Sequence, residues 1–312
     1  ETLISYGVNV NVKDDNHMTP LHQACTRGNL DIVKLLISSG AEINAKAKDG
    51  TTPINMASHS KQLKVAQFLK ETGADIDVFD AIAVGDIDLL IELSKTAGFD
   101  FNQVNTKHTM KGCPLLNFAC RYEHIDIINY LLINNANVNS AGKPPYEYPL
   151  HEAAFANNEK ALKILLDFGA NINIENLHGW TSLHIAASFE YIDMVQAIIN
   201  LGGDINYLDR EGCSSLFYAS QNYGDEIVKI LIENSAKVNI KDAHGCSPLH
   251  YAMRKKGRIK IIKLLVENGV DFHSQGEGRS AMNPLIVAIA QKDEEVVNLL
   301  LEHGAGQEFG FG

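Results

Sequence analysis

One phrase recurs along the chain every 33 residues: Tyr148-Pro149-Leu150-His151, Thr181-Ser182-Leu183-His184, Ser214-Ser215-Leu216-Phe217 and Ser247-Pro248-Leu249-His250. A fixed period of this size belongs to a stack of small units, none of which buries its apolar face alone. Such an array is quasi-one-dimensional, because each unit touches only its neighbours. The period therefore outweighs the length of 312 residues, which would otherwise suggest about two globular domains.

Within each unit the apolar residues fall at helical spacing on two short segments, as in Ile32, Val33, Leu35, Leu36 or Ile261, Ile262, Leu264, Leu265. Helices this short are not stable alone in water. Each must bury its stripe against the next unit, which predicts antiparallel helix pairs stacked on one another. Gly40, Gly73, Gly169 and Gly269 stand where the second segment stops, a position that favours the left-handed backbone. The stretches Asp209-Arg210-Glu211-Gly212 and Asp242-Ala243-His244-Gly245 carry β-turn residues and predict projecting hairpin tips between units.

The first complete unit runs through Thr19-Pro20-Leu21-His22 and Ala24, then Gly28-Asn29-Leu30-Asp31-Ile32-Val33-Lys34-Leu35-Leu36, and closes at Gly40-Ala41-Glu42-Ile43-Asn44. It resembles the ankyrin repeat: T-P-L-H-x-A, then G-x-L-x-I-V-x-L-L, then G-A-x-φ-N. Further units start at Thr52, near Pro114, at Tyr148, Thr181, Ser214, Ser247 and Asn283, with a degenerate one over 78–102. Nine repeats are recognisable and the resemblance covers nearly the whole chain. It implies an all-α ankyrin-repeat solenoid of stacked antiparallel helix pairs with projecting β-hairpin loops. It also implies that the histidines of the phrase, His22, His151, His184 and His250, bond to the preceding Thr or Ser and to the backbone, orienting the turn.

Three places break the pattern. Gly73 runs into Asp80-Ala81-Ile82-Ala83-Val84-Gly85 with no T-P-L-H and no room for a tip, so a bend or weakened interface is expected near 76–81. This divides the chain into N-terminal repeats over 1–77, the first of them partial, and a main stack over 78–305 that opens on a hairpin-less repeat. Residues 140–148 replace a normal tip with a Pro-rich aromatic loop, and Ser247 to Asn283 is three residues longer than the period. Both ends read as cut through the pattern, and 306–312 reads as tail or linker.

A net charge of −11 with pI near 5.5 argues against a nucleic-acid binder. No apolar run approaches the roughly 18 residues that would span a bilayer. The five cysteines occupy two repeat-equivalent sites: Cys113, Cys213 and Cys246 directly before the phrase, Cys25 and Cys120 just after the first-helix alanine. Side chains one repeat apart exceed the roughly 7 Å Cα separation a disulfide allows, and an odd number without CxxC fits no zinc site. Reduced thiols in a reducing, cytoplasmic compartment are expected. No phosphate loop, nucleophile elbow, HExxH or other ligand spacing occurs. No catalytic residue, cofactor or metal is therefore expected, and the chain reads as a non-enzyme.

In ankyrin-repeat proteins partner contacts come from the hairpin tips and the exposed ends of the first helices, which line a concave face. Carried onto this chain, those positions include Arg121, Tyr122, Phe155, Phe189, Gln221 and Asn222, with Tyr146 and Trp180 at adjoining tips. Large aromatics are common binding hot spots. The competing reading is that Trp180 fills the slot before its turn and the phenylalanines pack on neighbouring helices. Arg254, Lys255, Lys256 and Arg258 form a basic cluster suited to an acidic partner, or else a solvated helix face with its own counter-ions. The expected function is a protein–protein interaction scaffold, binding a protein or peptide as a monomer. The alternative is a regulatory or targeting array of a larger enzyme, channel, toxin or bacterial effector.

Overall fold

The computed structural model describes residues 8–106, 112–142, 147–222, 224–272 and 283–305. Among them are eighteen α-helices in nine consecutive pairs. In chain order the pairs are α1 (Pro20–Arg27) with α2 (Leu30–Ser38), α3 (Pro53–His59) with α4 (Leu63–Glu71), and α5 (Val78–Val84) with α6 (Ile87–Ser94). Then come α7 (Leu115–Tyr122) with α8 (Ile125–Ile133), α9 (Pro149–Phe155) with α10 (Glu159–Asp167), and α11 (Ser182–Ser188) with α12 (Ile192–Asn200). The last are α13 (Ser215–Gln221) with α14 (Asp225–Glu233), α15 (Pro248–Ala252) with α16 (Ile259–Glu267), and α17 (Pro284–Gln291) with α18 (Glu294–Glu302). Beyond helices, the described residues contain only an isolated bridge between Val104 and Pro114.

The contacts divide the chain into two compact units, 1–152 and 153–312. The hairpin-less repeat that opens at Val78 falls inside the first of these. Residues of the expected partial repeat before Val8, the loop 143–146, most of the long link 273–282 and the tail 306–312 lie outside the described residues.

Burial follows the helical stripes. In the first unit Leu21, Val33, Ile54, Val65 and Leu69 share one core. In the second, Phe217 and Tyr251 pack with Cys213 and Cys246 in a smaller cluster. Second helices end where expected, with Gly40 at φ +87° and Gly169 at φ +85°. At the tips, Asp209 and Asp242 each accept backbone N–H groups from residues two and four further on, at 2.8–2.9 Å. Tips then bond to tips: the Arg210 N–H donates to the His178 carbonyl at 3.1 Å and the Ala243 N–H to that of Glu211 at 2.8 Å. Gly179 is obligatory at this contact, since a Cβ there would lie 2.7 Å from the Arg210 nitrogen.

In several pairs the third residue of the first helix joins its pair to the next. His22 Nδ1 accepts from the Thr19 N–H at 3.1 Å, which leaves the proton on Nε2 to donate to the Thr51 carbonyl at 3.1 Å. His184 repeats this with Thr181 and Cys213. Asn117 uses its amide on the Glu147 carbonyl. Where the hairpin is missing the chemistry changes. Asn55 donates instead to the buried Asp80 carboxylate at 2.7 Å, and Asp80 closes a capping box with Asp77. At Phe217 the slot is apolar, and Ser214 Oγ is left buried without a hydrogen-bond partner among the described residues. A second ladder runs along the repeat ends: Asn11, Asn44 and Asn102 in the first unit, and Asn173, Asn206 and Asn239 in the second. Each accepts a backbone N–H one repeat on, at 2.6–2.9 Å.

Burial lowers the His22 and His250 imidazoles from their usual value. A lowered histidine contributes stability that is complete above its unfolded value of about 6.5 and is lost as pH falls from there through the folded value. The urea midpoint should therefore drop between pH 7 and 5.5. In His22→Asn/His250→Asn, which places in both slots the amide that Asn55 and Asn117 already use, that drop should be smaller.

Candidate partner-binding surface

In the first unit the third helix pair is flanked by contacts that reach over it. The Tyr122 hydroxyl donates to the His59 carbonyl at 3.2 Å, its ring stacks on Phe118 at 4.8 Å, and Lys61 lies 5.4 Å from the ring centroid. Lys61 also donates to the Arg121 carbonyl at 3.3 Å. Pairs two and four thus meet across pair three. The small residues of α5, Ala81 and Ala83, and its missing tip leave room for this. Tyr122 is consequently buried, 8% exposed, and burial raises its phenol. It is a strut rather than a surface anchor.

Arg121 is likewise engaged. Its Nε and Nη2 donate to the two oxygens of Glu152 at 2.9 and 3.3 Å. Burial pushes the Glu152 carboxyl up while Arg121 pulls it back; burial would lower Arg121, but the Glu152 carboxylate more than offsets that and raises it. Tyr146 lies outside the described residues.

The second unit carries the exposed aromatics. Phe155, at the end of α9, is half-buried, and Phe189, the C-cap of α11, is 51% exposed. Their rings meet edge-to-face at 5.6 Å. Tyr191 extends the row, stacked on Phe189 at 5.8 Å, with its hydroxyl donating to the Phe155 carbonyl at 3.5 Å. Sequence reasoning passed over Tyr191 because it occupies the inter-helix turn slot held elsewhere by Asn29 or Asp86. Its aromatic character two residues after Phe189 was the available signal.

Trp180 sits apart from that row. Its ring lies 4.6 Å from Tyr218, and its Nε1–H donates to the Tyr218 hydroxyl at 3.1 Å. The Tyr218 hydroxyl in turn donates to the Asp209 carboxylate of the tip. The next repeat copies the arrangement with Tyr251 and Asp242 at 2.9 Å. Trp180 therefore braces a hairpin, as its slot before the turn implied. Asn222, one repeat beyond Phe189, spends its amide on the Ser188 carbonyl at 2.7 Å, and Gln221 is half-buried beside it.

The basic cluster divides. Arg254, Lys255 and Lys256 are exposed, with the Arg254 guanidinium 3.6 Å from the Tyr251 ring centroid. Arg258 is not part of that surface: only 3% exposed, it donates to the Tyr251 and Ala252 carbonyls at 3.3 and 3.4 Å. It satisfies the end of α15 from inside, which the one-dimensional pattern of basic residues does not reveal.

The five thiols are all buried. Burial pushes Cys25 and Cys213 up to about 12 and raises the other three, so none is a ready nucleophile. No cluster of three or more metal-binding side chains occurs among the described residues. No helix among them is long and apolar enough to cross a membrane.

A family model described as ankyrin repeats in three copies matches five overlapping stretches, 1–80, 78–176, 116–209, 183–276 and 216–309. The chain belongs to the ankyrin-repeat family. Ankyrin repeats generally mediate protein–protein interaction, and the proteins that carry them are generally non-enzymatic scaffolds. Among curated relatives, the human Notch-regulated ankyrin repeat-containing protein is 42% identical over 59 residues, 19% of this chain and 51% of that protein. Human ankyrin repeat and SOCS box protein 11 is 35% identical over 88 residues, 28% of this chain and 26% of that protein. Putative ankyrin repeat protein L371 of Acanthamoeba polyphaga mimivirus is 30% identical over 86 residues, 28% of this chain and 11% of that protein. The ankyrin-repeat chain thus spans from about a tenth to half of the length of these relatives.

The Arg121–Glu152 pair gives a stability test. Glu152 is 1% exposed at its side chain, so Arg121→Ala leaves a carboxylate buried without this partner. Arg121 itself is 40% exposed, which screens the pair, and the expected loss is about 2 kcal/mol in urea unfolding. Adding Glu152→Gln should restore at least half of it, a coupling that a double-mutant cycle reads directly.

Proposed function

We propose that this chain is a non-catalytic scaffold that holds a protein segment along the ends of its first helices and the adjoining hairpin tips, within 153–272. The observation that carries the reading is the Phe155–Phe189–Tyr191 row. Most first-helix residues around it are buried, yet Phe189 keeps half of its surface in water. A large apolar ring held in place by two aromatic neighbours offers area to a partner at small entropic cost. Gln221 and Asn222 supply a polar rim one repeat further on.

A second reading, in which the array is the targeting arm of a larger protein, draws on the relatives. The name of ankyrin repeat and SOCS box protein 11 pairs the repeats with another module, and the match covers only 26% of that protein. The proposed groove along the first-helix ends and hairpin tips would have the same role in that setting.

The aromatic row is tested by panning displayed random peptides of about 16 residues, long enough at ~3.3 Å per residue to cross several stacked helices. Enriched peptides should bind Phe155→Ala/Phe189→Ala at least 30-fold more weakly, about 2 kcal/mol, by fluorescence anisotropy. Equal affinity for a folded double variant would remove the row from the reading.

A further inference from the structure

We infer that the partner segment is acidic at one end, and that the Arg254–Lys256 loop receives this end about two repeats from the aromatic row. The inference rests on the groove reading above and adds the chemistry of the occupant.

The loop is built differently from its counterparts. Helix α15 stops after five residues, where the other first helices have seven or eight. Arg258 closes it from below by donating to the Tyr251 and Ala252 carbonyls. From the following repeat, Gln291 Nε2–H donates to the Met253 carbonyl at 2.7 Å and fixes the start of the loop. The backbone then turns at Gly257, φ +83°, with open space around its Cα. Three consecutive cations are lifted out of the stack between two anchored ends.

The charges nearby are not equivalent. Lys260 lies 3.4 Å from Asp225 and Lys263 lies 3.7 Å from Glu267, so those two have counter-ions in the fold. Lys255 and Lys256 have no carboxylate within 4.0 Å among the described residues. Arg254 is oriented by Tyr251, whose hydroxyl is held by Asp242 at 2.9 Å. In a chain of net charge −11, this is a local positive site with its guanidinium already positioned. Its complement is a run of carboxylates, whose planar groups match a fixed guanidinium.

The spacing follows from the stack. Helices α11, α13 and α15 are successive neighbours, and Phe189 and the loop lie at equivalent ends of α11 and α15. Two steps of about 8–10 Å between packed helices give ~16–20 Å. An extended segment rising ~3.3 Å per residue crosses that in five or six residues. The occupant is thus a segment with a large apolar residue and a cluster of Asp or Glu about six positions away.

The displayed-peptide selection decides this separately from the groove reading. Enriched peptides should carry Asp or Glu five to seven positions from an apolar residue and be depleted by counter-selection on Lys255→Glu/Lys256→Glu. A synthetic copy should lose at least tenfold in affinity against that variant, and again when its acidic residues become Gln. The loss should shrink in 0.5 M NaCl, and Lys255→Gln/Lys256→Gln should fall between wild type and reversal. Peptides that need Phe155 and Phe189 but bind equally well to the charge-reversed protein overturn the acidic occupant and leave the groove standing. Acid-dependent binding that ignores the phenylalanines overturns the spacing and the groove together. Selection yielding no peptide sensitive to the charge reversal also overturns the inference.

Discussion

Register between several of these repeats rests on a buried side chain that bonds in two directions. At His22 and His184 the third residue of the first helix accepts from its own helix start and donates to the next repeat, to Thr51 and Cys213, and the amides of Asn55 and Asn117 also reach the next repeat. Helices of five to nine residues have no independent stability. Apolar stripes draw the pairs together, but burial is non-directional and leaves register open. The bridging imidazole or amide fixes register, because a slipped repeat would leave a buried polar atom unpaired at a cost of about 1–3 kcal/mol. The Asn ladder at the other end of six repeats does the same for the turns.

The variations in this slot show how much of the fold was legible. Asn55 and Asp80 look like losses of the repeat phrase, yet together they rebuild its bond where no tip carbonyl exists to receive it. The period identified every helix pair, including the hairpin-less one, because apolar spacing survives when the phrase does not. It could not show that Tyr122 reaches over a neighbour, since the contact joins residues 63 apart. Position in a repeat indicates which slot faces outward only while adjacent repeats have ordinary size. A small repeat changes what its neighbours cover. Arg258 was misleading for a related reason: basic residues in a row share a charge, but backbone geometry decides which of them turns inward to satisfy a helix end.

Framework and surface are chemically separate in this molecule. The polar groups that bridge the first helices are buried, the Asn ladder at the repeat ends is half-buried or exposed but hydrogen-bonded, and the thiols are kept protonated by burial. The surface we propose for a partner is a short row of aromatics and a loop of cations in the second unit. Ankyrin repeats specify a shape through their framework residues, and the side chains that the framework does not require carry the chemistry of recognition.

The contact of Tyr122 with His59 has a mechanical meaning. In an array where each unit touches only the next, stability is a sum of single-unit and adjacent-interface terms, and units can melt from an end one at a time. A bond from the second helix pair to the fourth adds a coupling that skips a unit. The third pair, lacking a tip of its own, is clamped between two neighbours that also hold each other. That coupling favours opening the three together, so the repeat that looks weakest in the sequence is held by more than its own two interfaces.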